Sequence, residues 1–475
     1  MASKPDSSRT LNYIFDWLNR ARNQRAQSGD PAAEKAPALR VAIVGINYAP
    51  ELTGIGVYST GFAEFLAARG FEVDVYTAFP YYPAWRKEDD ARGRLYRSER
   101  LRGVNVRRHY LYVPRRPGAL ARMLHELSFI LSASIGYLFG PTADCTIVVS
   151  PPLPLGIPIS LLARLKLSRV IFHAQDLQPD AAIELGLLKK GRFCDMLLKI
   201  EGWTYALAHR VSSIGRAMLG RVQGKGVPGR KLLLMKNWAN DDVVRPLERS
   251  TSYRARWSLG ERFVVLYSGN LGVKQGLGMV LDCAARMRER DDVVFVIVGD
   301  GGEKAALVAR AEAEGLGNIQ FHPLQPLAQL GELLATADVA VIPQKPGFGD
   351  IVLPSKLANI LASERPVVAA VPAGSELAVT LREAACGLVV EPGDAAALAG
   401  ALRHLADDPR ERSRLASNGR RYMLASLARD SVLAQHLRVV EALLLEENVV
   451  ALETTARSPE NFADARAGAS GGLPG

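Results

Sequence analysis

Several things are scarce in this chain, and each scarcity removes a class of protein. The four cysteines, Cys145, Cys194, Cys283 and Cys386, stand far apart, and none forms a CxxC pair. That excludes a disulfide framework and a cysteine zinc site, and it fits reduced core residues of a cytosolic protein. HxH, HExxH and DxD patterns with metal-ligand spacing are absent, so no metal is expected. No apolar core of signal-peptide type opens the sequence, which argues against secretion. Between Glu126 and Ala163 the only charge is Asp144, but Pro151, Pro152 and Pro154 interrupt the stretch. Neither half offers the run of about 20 apolar residues that a membrane span needs. The stretch reads instead as a helix at Leu124–Phe139, a strand at Cys145–Val149 and a helix at Leu155–Leu167. RRM, KH and zinc patterns are missing and the basic residues are scattered, so no nucleic-acid partner is expected.

What is present is a chain of 475 residues, 48% hydrophobic and 23% charged, enough for two domains with full cores. The net charge of +10 suits an anionic partner: a phosphorylated ligand, nucleic acid or an acidic membrane face. Residues 1–39 read as a flexible extension, with a short amphipathic segment around Tyr13, Phe15 and Trp17. Residues 451–475 read as a disordered tail.

From Arg40 the chain alternates strand and helix. Val41–Gly45 is a strand, a loop with Gly54 and Gly56 follows, Val57–Arg69 is a helix, and Val73–Thr77 is the next strand. This is a βαβ unit, whose ligand edge is the carboxyl end of its strands. The loop is not a GxGxxG fingerprint, so a nicotinamide cofactor is not supported. Gly54 and Gly56 either let the backbone approach a substrate or simply turn the chain. Aromatic residues and arginines then crowd together: Tyr81, Tyr82, Trp85 and Arg86, followed by Arg107, Arg108, Arg115 and Arg116. Arginine beside aromatic surface is how a protein sits peripherally on an anionic bilayer. The strand Val170–Asp176 delivers His173 and Asp176 to its carboxyl end, where both can serve a site or, for the histidine, the core. Further strands at about Arg210–Ser213 and Leu232–Lys236 complete the first half, and the polar, turn-rich Asn237–Pro246 holds the junction.

The second half repeats the plan. Phe263–Tyr267 is a strand, Ser268–Gly276 a glycine loop with Lys274, Leu277–Arg288 a helix, and Val293–Val298 a strand running into Gly299. Gly349–Ala369 reads as loop, helix and strand. In it, Ser355 and Lys356 fall in the first turn of the helix, among unpaired backbone N–H groups. They either hold a diphosphate together with Lys274, or Ser355 merely caps the helix and Lys356 is solvated. Tyr422–Glu447 reads as one long helix.

The strings Gly45–Gly56, Gln175–Gly186, Lys236–Ala239, Tyr267–Gly276, Val298–Gly302 and Leu353–Leu357 together resemble the GT-B glycosyltransferases. They are most similar to the large retaining family numbered four, and within it to the colanic-acid type often labelled a fucosyltransferase. The match runs from about Val41 to Leu445. The resemblance implies two doubly wound Rossmann-like α/β domains facing a cleft. Residues 40–243 would bind the acceptor, residues 244–428 the nucleotide-sugar donor, and a helix at 429–450 would cross back. It implies Lys274, Ser355 and Lys356 on the donor diphosphate with Gly269 and Asn270 beside it. Gly54 and Gly56 would face it across the cleft, and His173 would stand near the reacting sugar carbon. Asp176, Tyr81, Tyr82 and Trp85 fall on the acceptor side. The family usually carries two glutamates eight residues apart near the donor; here Ile351 and Asn359 stand at those positions. Asn359 can still hydrogen-bond a diol, and Asp350 is left to take the first role. The implied reaction is metal- and cofactor-free transfer with retention, from a nucleotide sugar (GDP-sugar favoured, GDP-fucose by label) to a lipid-linked saccharide at the inner membrane face. A sugar-nucleotide epimerase shares the same plan and is the alternative.

Overall fold

The computed structural model describes residues 38–444 apart from 52–53, 83–84, 88–90, 116–117, 185–187, 189–190, 240, 242, 250 and 347–354. Readings that concern the two ends of the chain, Asp350 and Ile351 lie outside the described residues.

Buried apolar strands lay down a parallel sheet because both faces must be covered. The first half runs β1 (Arg40–Val44), α1 (Ile55–Ala68), β2 (Glu72–Ala78), β3 (Tyr96–Leu101) and β4 (Val104–His109). It continues through α2 (Ala119–Phe139), β5 (Cys145–Ser150), α3 (Gly156–Leu165), β6 (Arg169–Ala174) and α4 (Gln178–Glu184). It closes with α5 (Arg192–Leu207), β7 (Arg210–Ser213), α6 (Arg216–Gly224) and β8 (Leu232–Leu234). The strand order is β3-β4-β2-β1-β5-β6-β7-β8, parallel except where β3 meets β4.

The second half runs α7 (Ser252–Arg256), β9 (Phe263–Ser268), α8 (Gly278–Ala285), β10 (Val293–Val298), α9 (Lys304–Ala313) and β11 (Ile319–His322). Then come α10 (Leu330–Ala335), β12 (Val339–Pro343), α11 (Ser355–Ala362), β13 (Val367–Ala370), α12 (Glu376–Glu383) and β14 (Gly387–Val390). Two long helices follow, α13 (Ala395–Asp407) and α14 (Pro409–Ser426), and the last is α15 (Arg429–Leu444). The sheet order is β11-β10-β9-β12-β13-β14, all parallel.

Two readings of the sequence need correction. The region taken as an arginine-rich membrane-facing stretch contains the β3–β4 hairpin, and two of its arginines are structural. Arg107 pairs with Asp74, and the fully buried Arg108 donates to the carbonyls of Ala49 (2.7 Å) and Ala78 (3.4 Å) and to Glu99 (2.5 Å). Arginine's fork of donors lets one buried side chain tie strand, loop and hairpin together. The single long helix after Tyr422 is two helices, α14 and α15. Its axis breaks at Leu427, whose carbonyl accepts from Ala239 N (2.9 Å), so the two places where the chain passes between halves lie side by side. Val432, Leu433, Val439 and Val440 of α15 then join the core formed by β1, β2 and α1 of the first half.

Candidate functional site

The carboxyl edge of the second sheet is shaped by glycine. After β9 the chain turns through Gly269 (φ 144°), and after β10 through Gly299 (φ 157°) and Gly301 (φ 156°). Gly269 N donates to Val298 O (2.9 Å) and Leu271 N to Asp300 O (2.8 Å), which presses the two loops together. A Cβ on Gly299 would lie 1.8 Å from Gly269 O, and one on Gly269 would lie 2.4 Å from Lys356 Cε. No other residue fits at Gly299, whose neighbour is backbone, and a side chain at Gly269 would displace the Lys356 ammonium. The Lys356 ammonium therefore rests directly on the Gly269 backbone. It donates to Tyr267 Oη (2.7 Å) and lies 4.1 Å from that ring's centroid, while Tyr267 Oη donates to Asn270 O (2.6 Å). Burial pushes the Lys356 ammonium down to about 8. A desolvated cation held beside glycine backbone of positive φ at the start of an eight-residue helix has the chemistry to receive an anion. Ser355 opens that helix, and Asn359, one turn on, joins Lys356, Ser268 and Leu266 around a cavity of about 60 Å³.

Lys274 sits in a tight turn, Val273–Gln275, closed by Gly276 (φ 59°). Its carbonyl accepts from Lys345 N (3.0 Å), and a Cβ on Gly276 would strike the Lys345 backbone at 2.8 Å. Lys274 lies near enough to Asp176 of the first half for its charge to act on that carboxyl. Burial raises the Asp176 carboxyl above its usual range, and Lys274 pulls it back only in part. Asp176 Oδ1 is buried with no hydrogen-bond partner. The structure thus brings together two residues singled out separately from the sequence.

On the first half, Gly54 (φ 62°) precedes α1, and nothing lies within 4 Å of a Cβ placed there, so its surroundings are open. Gly56 lies in the first turn, where a Cβ would approach Glu51 O to 3.2 Å. Glu51 is a site-shaping residue that the sequence reading passed over. Its buried carboxylate accepts from Tyr81 N and Tyr82 N (2.9 Å each) and from Asn47 Nδ2 (2.7 Å), which staples the glycine loop to the aromatic loop. Its only signal was an acid between Pro50 and the glycines. Tyr81 is buried against His125 (4.6 Å) and Trp85 (5.7 Å), whereas Tyr82 is exposed. Arg122 lies 5.6 Å over Trp85.

His173 lies on β6, next to its carboxyl end. Its ring is enclosed: Nδ1 meets Ser212 Oγ (2.9 Å), Nε2 meets Gln175 Nε2 (2.9 Å), and Gln175 pairs with Asn237 through two amide contacts (3.0 and 3.2 Å). It lines a cavity of only about 20 Å³ with Tyr58, Phe62, Trp238 and His436. Desolvation holds His173 neutral, at about 4. The ring reaches the site edge only through Gln175, next to Asp176.

Two Rossmann-like sheets, an anion nest on the edge of one and a glycine-led helix on the other, make this a protein of the GT-B plan. Solved structures bear out that fold. Sucrose-phosphate synthase from Thermosynechococcus elongatus superposes with a TM-score of 0.66 at 17% identity, over 86% of this chain and all of that one. HepE of Anabaena in complex with UDP gives 0.63 at 14%, over 85% and 100%. The family model "Glycosyl transferase 4-like domain" matches residues 53–238, and "Glycosyl transferases group 1" matches residues 250–422. WcaI of Escherichia coli (strain K12), named as a colanic acid biosynthesis glycosyl transferase, is 36% identical over 84% of this chain and 99% of its own length. The chain belongs to this glycosyltransferase family and is an enzyme of the hexosyltransferase kind.

Proposed function

We propose that the protein transfers a sugar, with retention, from a GDP-sugar to a lipid-linked saccharide during assembly of a cell-surface or exported polysaccharide. The likeness to WcaI supports the pathway class; the GDP donor, with fucose the first sugar to test, is our expectation from the family resemblance. The observation that carries the donor site is the Lys356 ammonium seated on Gly269. In this reading the donor diphosphate replaces Tyr267 Oη as partner of Lys356, takes the N–H groups opening α11, and draws Lys274 from Asp176. As the bond from C1 to the diphosphate breaks, these cations take up the departing charge without a metal. The acceptor hydroxyl attacks C1 from the same face, and its proton passes to the leaving phosphate. Asn359 contacts the ribose diol, Asp350 the donor sugar, and Gly54 and Gly56 close over it. His173 positions this edge through Gln175, while Asp176, Tyr82 and Trp85 present the acceptor. The protein works at the cytoplasmic face of the membrane, in peripheral contact with it. The epimerase reading finds no support among the relatives, which are named glycosyltransferases.

Calorimetric titration with GDP, UDP, dTDP and ADP, without added metal, tests the donor site. Binding of one nucleotide, weakened by a hundredfold or so in Lys356→Ala, is the expected result; a hydrogen bond to a charged group is worth about 1.5–3 kcal/mol. Tight binding of UDP alone would leave the site standing and overturn the GDP preference. Equal binding by wild type and Lys356→Ala would remove Lys356 from the site.

A further inference from the structure

Helix α2 is apolar on both sides. Phe129, Ala133 and Tyr137 face the core, as its position over the sheet requires. Leu120, Leu124, Leu127, Leu131, Ile135 and Leu138 are exposed. Their spacing of three and four residues draws a single straight stripe along the outer face. No charge falls between Leu127 and Phe139. A helix that is hydrophobic all round is normally covered on both sides.

The stripe does not stand alone. Helix α3 packs between α2 and α5, so the outer faces of the three helices join. Leu161, Leu165 and Leu167 extend the patch, Leu167 at 92% exposure, and Phe193, Met196 and Trp203 continue it on α5. A run of exposed leucines along neighbouring helices, rimmed by polar residues, is the kind of surface that marks an interaction site. The exposed charges on these helices are Arg122, Arg164, Arg192 and Lys199 against one acid, Asp195.

We infer that the outer face of α2, α3 and α5 is a docking surface for an anionic phospholipid monolayer, with its leucines entering the headgroup boundary. Two observations choose lipid over a second copy of the chain. The basic fringe complements anionic headgroups, whereas a two-fold contact through the same patch would set these cations against their own kind. The patch also ends at the acceptor edge: Arg122 stacks on Trp85, and His125, one turn on, packs on Tyr81. Among the described residues no helix is long and apolar enough to cross a membrane, so α2 lies along the surface. The inference relocates membrane contact from the arginines of β4, which are tied up inside the fold, to a different face. It deepens the reading of a lipid-linked acceptor, but its test does not depend on turnover.

Co-sedimentation with phosphatidylcholine vesicles, with and without phosphatidylglycerol, tests it. Wild-type protein should bind the phosphatidylglycerol vesicles and be released by salt. The double variant Leu127→Asp/Leu131→Asp should lose at least tenfold in partitioning while binding nucleotide as wild type does. Lys199→Glu should lose roughly fivefold. Three results would overturn the inference: no binding by wild type, undiminished binding by the double variant, or a concentration-dependent dimer that the double variant abolishes. A nucleotide titration that fails while vesicle binding holds would sink the donor assignment and leave this surface intact.

Discussion

The two halves share one strand–helix plan and differ in what their edges and outer faces carry. In the second half, glycines with positive φ crowd the carboxyl edge of the sheet, among them Gly269, Gly276, Gly299 and Gly301. In the first half, Gly54 and Gly93 stand there, and neither is pressed against other backbone. The first half instead concentrates exposed leucine on three neighbouring helices and encloses the histidines His109, His125 and His173, with His436 arriving on the crossing helix. Backbone pressed against backbone, with one cation upon it, suits a small rigid anion. Broad apolar area with a basic fringe suits a soft, extended surface. One architecture can thus divide recognition of two very different substrates between its halves.

The sharpest way to break the comparison is to give both edges the same lesion. Gly299→Ala puts a Cβ 1.8 Å from a backbone oxygen that has no room to move. It should cost about 3 kcal/mol or more and abolish nucleotide binding. Gly54→Ala meets nothing within 4 Å and bears only the backbone cost of a conformation (φ 62°, ψ −142°) that glycine alone adopts freely, about 1–3 kcal/mol. Chemical denaturation of both variants checks this. Equal losses would mean that the crowding of the second edge is not real.

Acid should separate the halves next. Desolvation holds His109 and His173 at about 4 and His436 at about 3. Each is neutral when folded and charges near 6.5 when unfolded, so the unfolded state binds more protons as pH falls below about 6.5. Stability from these sites is intact above that value and is lost between it and the folded values. His436→Gln should flatten the dependence of Tm on pH over that window, by an amount worth on the order of 5 kcal/mol. An unchanged slope would show that His436 does not titrate as its burial demands.

Much of this division was legible in the sequence. Lys274, Lys356 and the glycines after β9 and β10 are local signals: a strand ends, glycine follows, and the backbone N–H groups point one way. Asp176 was legible at the carboxyl end of a buried strand, which the structure ends two residues earlier, at Ala174. What was not legible depends on contacts distant in sequence. Glu51 acts on Tyr81 and Tyr82, thirty residues on. Arg108 looked like surface charge and is buried because β4 lies between β2 and β3. The α2 stripe was visible as an uncharged run, but only the fold shows which of its leucines face out. His173 read equally as a site or a core histidine, and its enclosure depends on Ser212 and, through Gln175, on Asn237.

Lys356 offers a smaller and more specific test of the anion edge. Its ammonium is held at about 8, so above that pH the free protein loses the cation, and an anionic nucleotide must restore it by taking up a proton. Affinity should be level below about pH 8 and fall toward tenfold per pH unit above it. Titrations near pH 8 in buffers of different ionisation enthalpy should show proton uptake that Lys356→Ala lacks. No proton uptake by wild type would mean that the nucleotide does not meet this ammonium.

The smallest effect concerns the far end of the same helix. Glu364 takes a left-handed conformation (φ 56°) just beyond α11, where its N–H reaches back to Leu361 O (3.1 Å). This is a position that glycine fills without strain. Its carboxylate accepts from Ser417 Oγ (2.9 Å) at an exposed contact, which offsets part of the strain. Glycine would relieve the backbone, lose that bond and loosen the unfolded chain, so Glu364→Gly should gain less than about 1 kcal/mol. Thermal unfolding reads the gain, and the nucleotide titration should not change. If affinity moved with stability, α11 would act as one rigid lever from its last turn to Lys356, and the anion edge would be less local than its glycines imply.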